Sequence, residues 1–124
     1  MRRLLLAGLL LAPPALTPSA LARDGRAVFE ARCASCHAVA PDAAPMAGPN
    51  LHGVIGRRVG AAPGFDYSPV LEGAGRGGDT WDPDRMVRFL EDPEEMYPGL
   101  WMGANGLRAE AQRRAVAAFL ATAR

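Results

Sequence analysis

The chain has 124 residues, of which 49% are hydrophobic and 22% charged, a composition typical of one globular domain and not of a disordered segment. Its formal net charge of +1 argues against a nucleic-acid partner. All fourteen basic residues are arginine and only two residues are cysteine. Lysine-dependent chemistry and a scaffold of several disulfides are therefore excluded.

Residues 1–22 have the pattern of a secretory signal. A short basic start precedes an apolar run over residues 4–12, and a small-x-small cleavage pattern ends at Ala22. An apolar run of nine residues is too short to span a bilayer, which takes about 20, although an uncleaved anchor is the alternative. We expect cleavage after Ala22, export to the periplasm, one mature domain over residues 23–124, and no stable membrane insertion.

The mature chain is expected to begin with a helix. Asp24 can cap a helix that starts at about Gly25 and continues into residues 33–37, with Val28 and Phe29 at helical spacing.

At the end of this helix the sequence Cys33-Ala34-Ser35-Cys36-His37 forms the C-x-x-C-H pattern of c-type haem attachment. Two thiols three residues apart can each add to one vinyl group, and the adjacent imidazole then ligates the iron. A thioredoxin-like redox pair would need a preceding strand, and a zinc site would need more ligands than His52 alone could add. A structural disulfide is the remaining alternative. The motif predicts one haem c, attached covalently through two thioethers.

The rest of the chain predicts two more helices. Residues 38–80 hold most of the glycine and proline of the mature chain, so we expect loops and turns there. A helix begins at Asp82-Pro83 and ends before Pro93, and the last helix covers roughly Ala109 to Ala123. Long loops around three helices need a filler, which a buried prosthetic group would supply.

Methionine would be a suitable second axial ligand, because a thioether raises the reduction potential and favours electron transfer. Met46 lies in a loop rich in proline and alanine, and Met86 lies on the apolar face of the second predicted helix, where a core role is the simpler interpretation. Met96 and Met102 flank the turn at Pro98-Gly99. Spacing alone does not choose among the four.

The chain resembles class I cytochromes c of the mitochondrial and alphaproteobacterial type over residues 24–122. The residues that carry the resemblance occur in the family's order: Cys33–His37, Gly48–Gly53, Gly56-Arg57, Phe65–Tyr67, Trp81 and Pro98–Met102. The resemblance implies an all-α cytochrome c fold, in which three main helices and long loops wrap around one covalently bound haem.

The resemblance also implies roles for residues near the attachment motif. Cys33 and Cys36 would carry the thioethers, and His37 would be the proximal iron ligand. The carbonyl of Pro49 would accept a hydrogen bond from the other ring nitrogen of His37, which fixes the tautomer of the ligand.

On the opposite side, Met102 corresponds to the distal iron ligand, with Met96 as the main alternative. Arg57, Tyr67 and Trp81 resemble the residues around the haem propionates, which need donors in an apolar pocket.

Several positions depart from the family pattern. Phe89 replaces a tyrosine that faces the methionine ligand, Leu100 replaces a threonine, and Ala104 replaces a large aromatic residue that covers the haem edge. We expect a more mobile Met102 segment as a result.

Residues 91–95 contain four acids where mitochondrial members carry lysines. This run indicates either a solvated helix end or a docking face for a neutral or basic partner.

The resemblance implies a periplasmic one-electron carrier that is not an enzyme and has no catalytic residues. It would act as a monomer between redox proteins such as membrane cytochrome complexes, a terminal oxidase or a periplasmic dehydrogenase. A free shuttle and a subunit held by one dehydrogenase are both compatible with the sequence. The alternative function is a peroxidase-like enzyme or gas-binding module with a displaceable Met102, but no distal general acid or base is evident.

Overall fold

The computed structural model describes residues 10–14, 16–103 and 105–124. Within these residues the chain forms five helices and no strand: α1 (Pro18–Arg32), α2 (Pro69–Arg76), α3 (Pro83–Glu91), α4 (Pro93–Met96) and α5 (Glu110–Thr122). This confirms the all-α fold, with α1, α3 and α5 as its main helices. None of the helices in the described part is long and apolar enough to cross a membrane.

Helix α1 begins earlier than the sequence analysis expected. Thr17 caps it by accepting a hydrogen bond from the backbone N–H of Ala20, and Pro18 occupies the first helical position. The predicted start at about Gly25 with Asp24 as the cap is therefore wrong, because Thr17-Pro18 is the stronger start signal. Gly25 is, however, the first buried residue of α1.

The predicted signal peptide lies partly outside the described residues, because residues 1–9 are not among them. The bond after Ala22, where we expect cleavage, lies within α1. The division into residues 1–22 and 23–124 stays a prediction.

Helices α1 and α5 cross at Gly25. A Cβ atom at this position would lie 1.8 Å from the backbone oxygen of Ala115, so only glycine allows the two helices this close approach. One turn further along, the rings of Phe29 and Phe119 pack with their centroids 5.4 Å apart. The first and last helices therefore pack directly against each other.

Helix α2 corrects the expectation that residues 38–80 contain only loops and turns. Ser68 occupies its cap position and Pro69 its first turn, a pattern that favours a helix start. The glycines of this segment argue against a helix when only the sequence is considered. Gly75, however, is required by close packing. Its missing Cβ would lie 1.9 Å from the backbone oxygen of Val59.

The other two predicted helices are confirmed. Asp82 caps α3 by accepting a hydrogen bond of 2.7 Å from the backbone N–H of Arg85, and α3 ends at Glu91. Helix α5 is flanked by Ala109 and Ala123, the two residues between which the sequence predicts it.

We predict that Gly25→Ala destabilises the protein, because the added methyl group would meet backbone atoms of α5 that cannot move independently. Overpacking of this kind costs about 1–3 kcal/mol. Denaturant unfolding should show a lower midpoint with an unchanged m value. Gly73→Ala in α2 is the matched control, because its Cβ would meet nothing closer than 3.8 Å. Equal stability of the two variants would contradict the prediction.

Candidate haem-binding site

A largely apolar cavity of about 460 Å³ lies between α1, α3, α5 and the long loops. Eight site residues were predicted from the sequence, and all eight line this cavity: Cys33, Cys36, His37, Pro49, Arg57, Tyr67, Trp81 and Met102. They are spread over 70 positions of the chain, so the fold brings together one site from distant segments.

The turn after α1 places the attachment motif in the cavity wall. The backbone N–H groups of Cys36 and His37 both donate to the carbonyl of Cys33, at 3.0 and 2.9 Å. This tight turn places both thiols and the imidazole at the cavity. The two cysteines form no disulfide here, and both thiols are free. Burial raises the pKa of the Cys33 thiol.

The ring of His37 is held in one orientation. Its Nδ1 donates to the carbonyl of Pro49 at 2.9 Å, so the lone pair of Nε2 is free for a metal. A Cβ on Gly48 would lie 2.4 Å from Cε1 of the same ring. Burial lowers the pKa of His37 and outweighs the opposing effect of the Pro49 hydrogen bond, which favours the neutral, metal-ligating form.

Polar groups without anionic partners lie at another part of the cavity. Arg57 donates to the backbone carbonyls of His52 and Asn50 at 3.2 and 3.0 Å, and it pairs with no carboxylate in the described part of the chain. Burial lowers the pKa of Arg57. The hydroxyl of Ser68 is buried and has no partner among the described residues.

Tyr67 and Trp81 complete this part of the wall. The hydroxyl of Tyr67 accepts a hydrogen bond of 3.2 Å from the backbone N–H of Ala62, and burial raises its pKa. Trp81 is buried, with its ring centroid 4.9 Å from that of Phe89. An apolar cavity with a half-buried cation and an orphaned hydroxyl fits a large apolar group that carries anionic oxygens, such as the haem propionates.

The cavity separates the four methionines into two pairs. Met102 and Met86 line it, whereas Met96 and Met46 do not. Met96 packs against the core beside the cavity, and Met46 is 49% exposed.

Known proteins match the chain along most of its length. The family described as "Cytochrome C oxidase, cbb3-type, subunit III" matches residues 20–120. Cytochrome c2 of Rhodomicrobium vannielii is 40% identical over 98 residues, which are 79% of this chain and 75% of the relative. Cytochrome c2 iso-2 of Rhodospirillum centenum is 48% identical over 69 residues, and the match spans 56% of each chain.

A solved structure matches the fold as well. Cytochrome c2 from Rhodospirillum centenum superposes with a TM-score of 0.75 at 36% identity, covering 82% of this chain and 97% of that one. The chain belongs to the class I cytochromes c. Its cofactor is one covalently attached haem c, and the protein is an electron carrier and not an enzyme.

The residues around the cavity fit this cofactor. Two free thiols and an oriented imidazole lie on one turn. Hydrogen-bond donors for the two haem propionates lie elsewhere on the cavity wall. Cys33 and Cys36 would hold the porphyrin covalently, while Arg57 and the hydroxyl of Ser68 would bind anionic oxygens.

Among the family departures, Phe89 lines the cavity and Leu100 is buried. Ala104 lies outside the described residues, so the expected gap over the haem edge and the expected mobility of the Met102 segment stay predictions. Asn105 anchors the far side of that segment, because its amide donates to the carbonyl of Leu90 at 2.9 Å.

The acidic run at residues 91–95 has contacts within the protein. Asp92 caps α4 and accepts from the backbone N–H of Glu95 at 3.0 Å. Glu94 accepts from the backbone N–H of Gly99 at 3.0 Å, and Glu91 lies 4.0 Å from a guanidinium nitrogen of Arg113. Three of the four acids therefore have intramolecular roles, which favours the structural interpretation of this run.

Sequence reasoning missed two residues of the site. Ser68 carries the orphaned hydroxyl, and the dipeptide Ser68-Pro69 was an available start signal for α2. Trp101 was part of the quoted motif without a role. It lines the cavity and is nevertheless 69% exposed, a property that no local sequence signal indicates.

We predict that Gly48→Ala displaces the His37 ring, because the added methyl group would overlap the imidazole. The expected cost is about 1–3 kcal/mol in the free energy of unfolding of the haem-loaded protein, together with a lower haem content after export. Absorbance spectra and denaturant unfolding measure both quantities. Gly77→Ala is the control, since its Cβ would meet no atom closer than 3.4 Å. Unchanged haem content and stability in Gly48→Ala would contradict the assigned ring position.

Proposed function

We propose that this cytochrome is a periplasmic one-electron carrier whose iron is ligated by His37 and Met102. The observation that carries the proposal is that both side chains line one cavity, with the His37 ring oriented by Pro49 so that Nε2 is free. The haem supplies the change between ferrous and ferric iron. The protein orients the ligands, binds the propionates and keeps water away.

Met102 is a better distal ligand than Met86, the other methionine at the cavity. Met86 lies on α3 and is 4% exposed within the core cluster, so any move toward the iron would disturb that packing. Met102 follows an irregular segment and is only partly buried. A ligand on such a segment can approach the iron without displacing a helix.

The described residues that line the haem cavity offer little support for peroxidase-like or gas-binding chemistry. Such a role needs a distal acid or base. His52, the second histidine, does not line the cavity, and its Nδ1 donates to the carbonyl of Val39 at 3.2 Å. A carrier with two protein ligands requires no such group.

The periplasmic location rests on the signal pattern of residues 1–22 and on the covalent haem, which is attached on the oxidising side of the membrane. Known relatives at this level of similarity include cytochromes c2 and cytochrome c-550. We propose that this cytochrome acts as a monomer and exchanges electrons with redox proteins such as membrane cytochrome complexes, a terminal oxidase or a periplasmic dehydrogenase.

We predict that the oxidised protein has the weak near-infrared band of sulfur-to-iron ligation. Met102→Ala should abolish this band, because it removes the thioether, while Met96→Ala and Met46→Ala should keep it. Met86→Leu is the matched control for the second cavity methionine, since it conserves volume and apolarity. Loss of the band in Met86→Leu and its retention in Met102→Ala would identify Met86 as the ligand. A wild type without the band would overturn the proposed ligation.

We predict that the exported protein begins at Arg23, which mass spectrometry of the periplasmic fraction measures. Ala22→Leu should leave the precursor uncleaved, because the cleavage site requires a small residue there. Leu21→Ala is the control, since the intervening position has no such requirement. A mature chain with a different first residue would contradict the boundary, and an uncleaved protein in the cytoplasm would contradict the location.

A further inference from the structure

Tyr97 is a buried residue whose hydroxyl contacts a partly exposed ion pair. It donates to Oδ2 of Asp79 at 2.9 Å and accepts from Nη1 of Arg85 at 3.0 Å. The same nitrogen of Arg85 donates to Oδ2 of Asp79 at 2.8 Å. The three side chains therefore form a closed triangle, which we call the Tyr97 triangle.

The ring of Tyr97 packs against the wall of the haem cavity. Its centroid lies 6.3 Å from that of Trp81 and 6.1 Å from that of Phe89, and both of these side chains line the cavity. The tyrosine thus has its apolar body against the site and its polar end on the ion pair.

Two backbone hydrogen bonds hold Asp79, and with it the triangle, in position. Its carbonyl accepts from the N–H of Val59 at 2.9 Å, and its own N–H donates to the carbonyl of Ala74 at 3.0 Å. Two residues later, the N–H of Trp81 donates to the carbonyl of Arg57 at 2.8 Å. The triangle is therefore attached to backbone that also carries two cavity residues.

From Tyr97 the chain leads to Met102 through a constrained turn. The N–H of Leu100 donates to the carbonyl of Tyr97 at 3.1 Å, and Gly99 has a φ of 88°, which favours glycine. The N–H of Gly99 is bound by Glu94 at 3.0 Å, and Leu100 is buried. Only Trp101 separates this ordered turn from Met102.

We propose that Tyr97 is a positioning residue for Met102. Its hydroxyl fixes the start of the segment that presents the thioether, and it thereby determines how readily another ligand displaces Met102 from the iron. This inference rests on the proposed function, in which Met102 is the distal ligand. Tyr97 touches neither iron nor substrate and acts through the position of the turn.

Tyr97→Phe tests the inference, because it removes the hydroxyl and keeps the ring that packs against Trp81 and Phe89. A hydrogen bond to a charged group contributes enough for us to expect about a tenfold tighter apparent binding of imidazole to the oxidised holoprotein. Imidazole titration, followed by loss of the near-infrared sulfur band, measures this affinity. Asp79→Asn provides a second variant, since it weakens the same contact without changing side-chain size.

Arg114→Gln is the control, because it removes an exposed ion pair with Glu110 on α5 and Arg114 does not line the haem cavity. It should leave the imidazole affinity at the wild-type value. A purely structural role for Tyr97 predicts a lower melting temperature with unchanged imidazole affinity, and that result would overturn the inference.

The double variant adds a further check. If both substitutions act through one contact, the effects of Tyr97→Phe and Asp79→Asn should combine to less than their product. Fully multiplicative effects would contradict a shared contact. A wild type without the sulfur band would overturn the proposed Met102 ligation itself, whereas a wild-type band with unaltered affinity in Tyr97→Phe would overturn only the role of Tyr97.

Discussion

The orientation of the His37 imidazole is the constraint on which the site depends. With Nδ1 donating to Pro49, only Nε2 can face a metal. The backbone of Gly48 closes over the ring and donates to the carbonyl of Cys36 at 2.8 Å. Two hydrogen bonds thus join the attachment turn to a loop twelve residues further along the chain. The other cavity residues lie around this pair of segments.

The features that could be predicted from sequence are those with local signals. The haem motif is five consecutive residues, and α3 lies between the Asp82-Pro83 cap and Pro93. Helix α5 has no side-chain cap and is predicted from its apolar face alone. The start of α1 was misplaced because Thr17-Pro18 lies inside a segment interpreted as a signal. Helix α2 was missed because its glycines, which argue against a helix locally, are required by contacts such as that of Gly75 with Val59.

Other parts of the site could be identified only from the tertiary structure. Spacing could not choose among the methionines, because what separates them is whether they line the cavity. The resemblance pointed to Met102, and the fold excludes Met96 and Met46 from the lining on independent grounds. The Tyr97 triangle joins residues 12 and 18 positions apart, and no pattern within a helix or turn indicates such a contact.

The departures from the family pattern and the Tyr97 triangle belong to one physical problem, which is how the Met102 segment is held. Leu100 has no side-chain donor where the family has threonine, so this position can stabilise the segment only by burial. Polar anchoring comes instead from residues on either side of Met102: Asn105, which donates to the carbonyl of Leu90, and the hydroxyl of Tyr97, which contacts Asp79. Because the backbone from Asp79 to Trp81 also pairs with residues 57–59, the Tyr97 triangle and the cavity wall at Arg57 share one support.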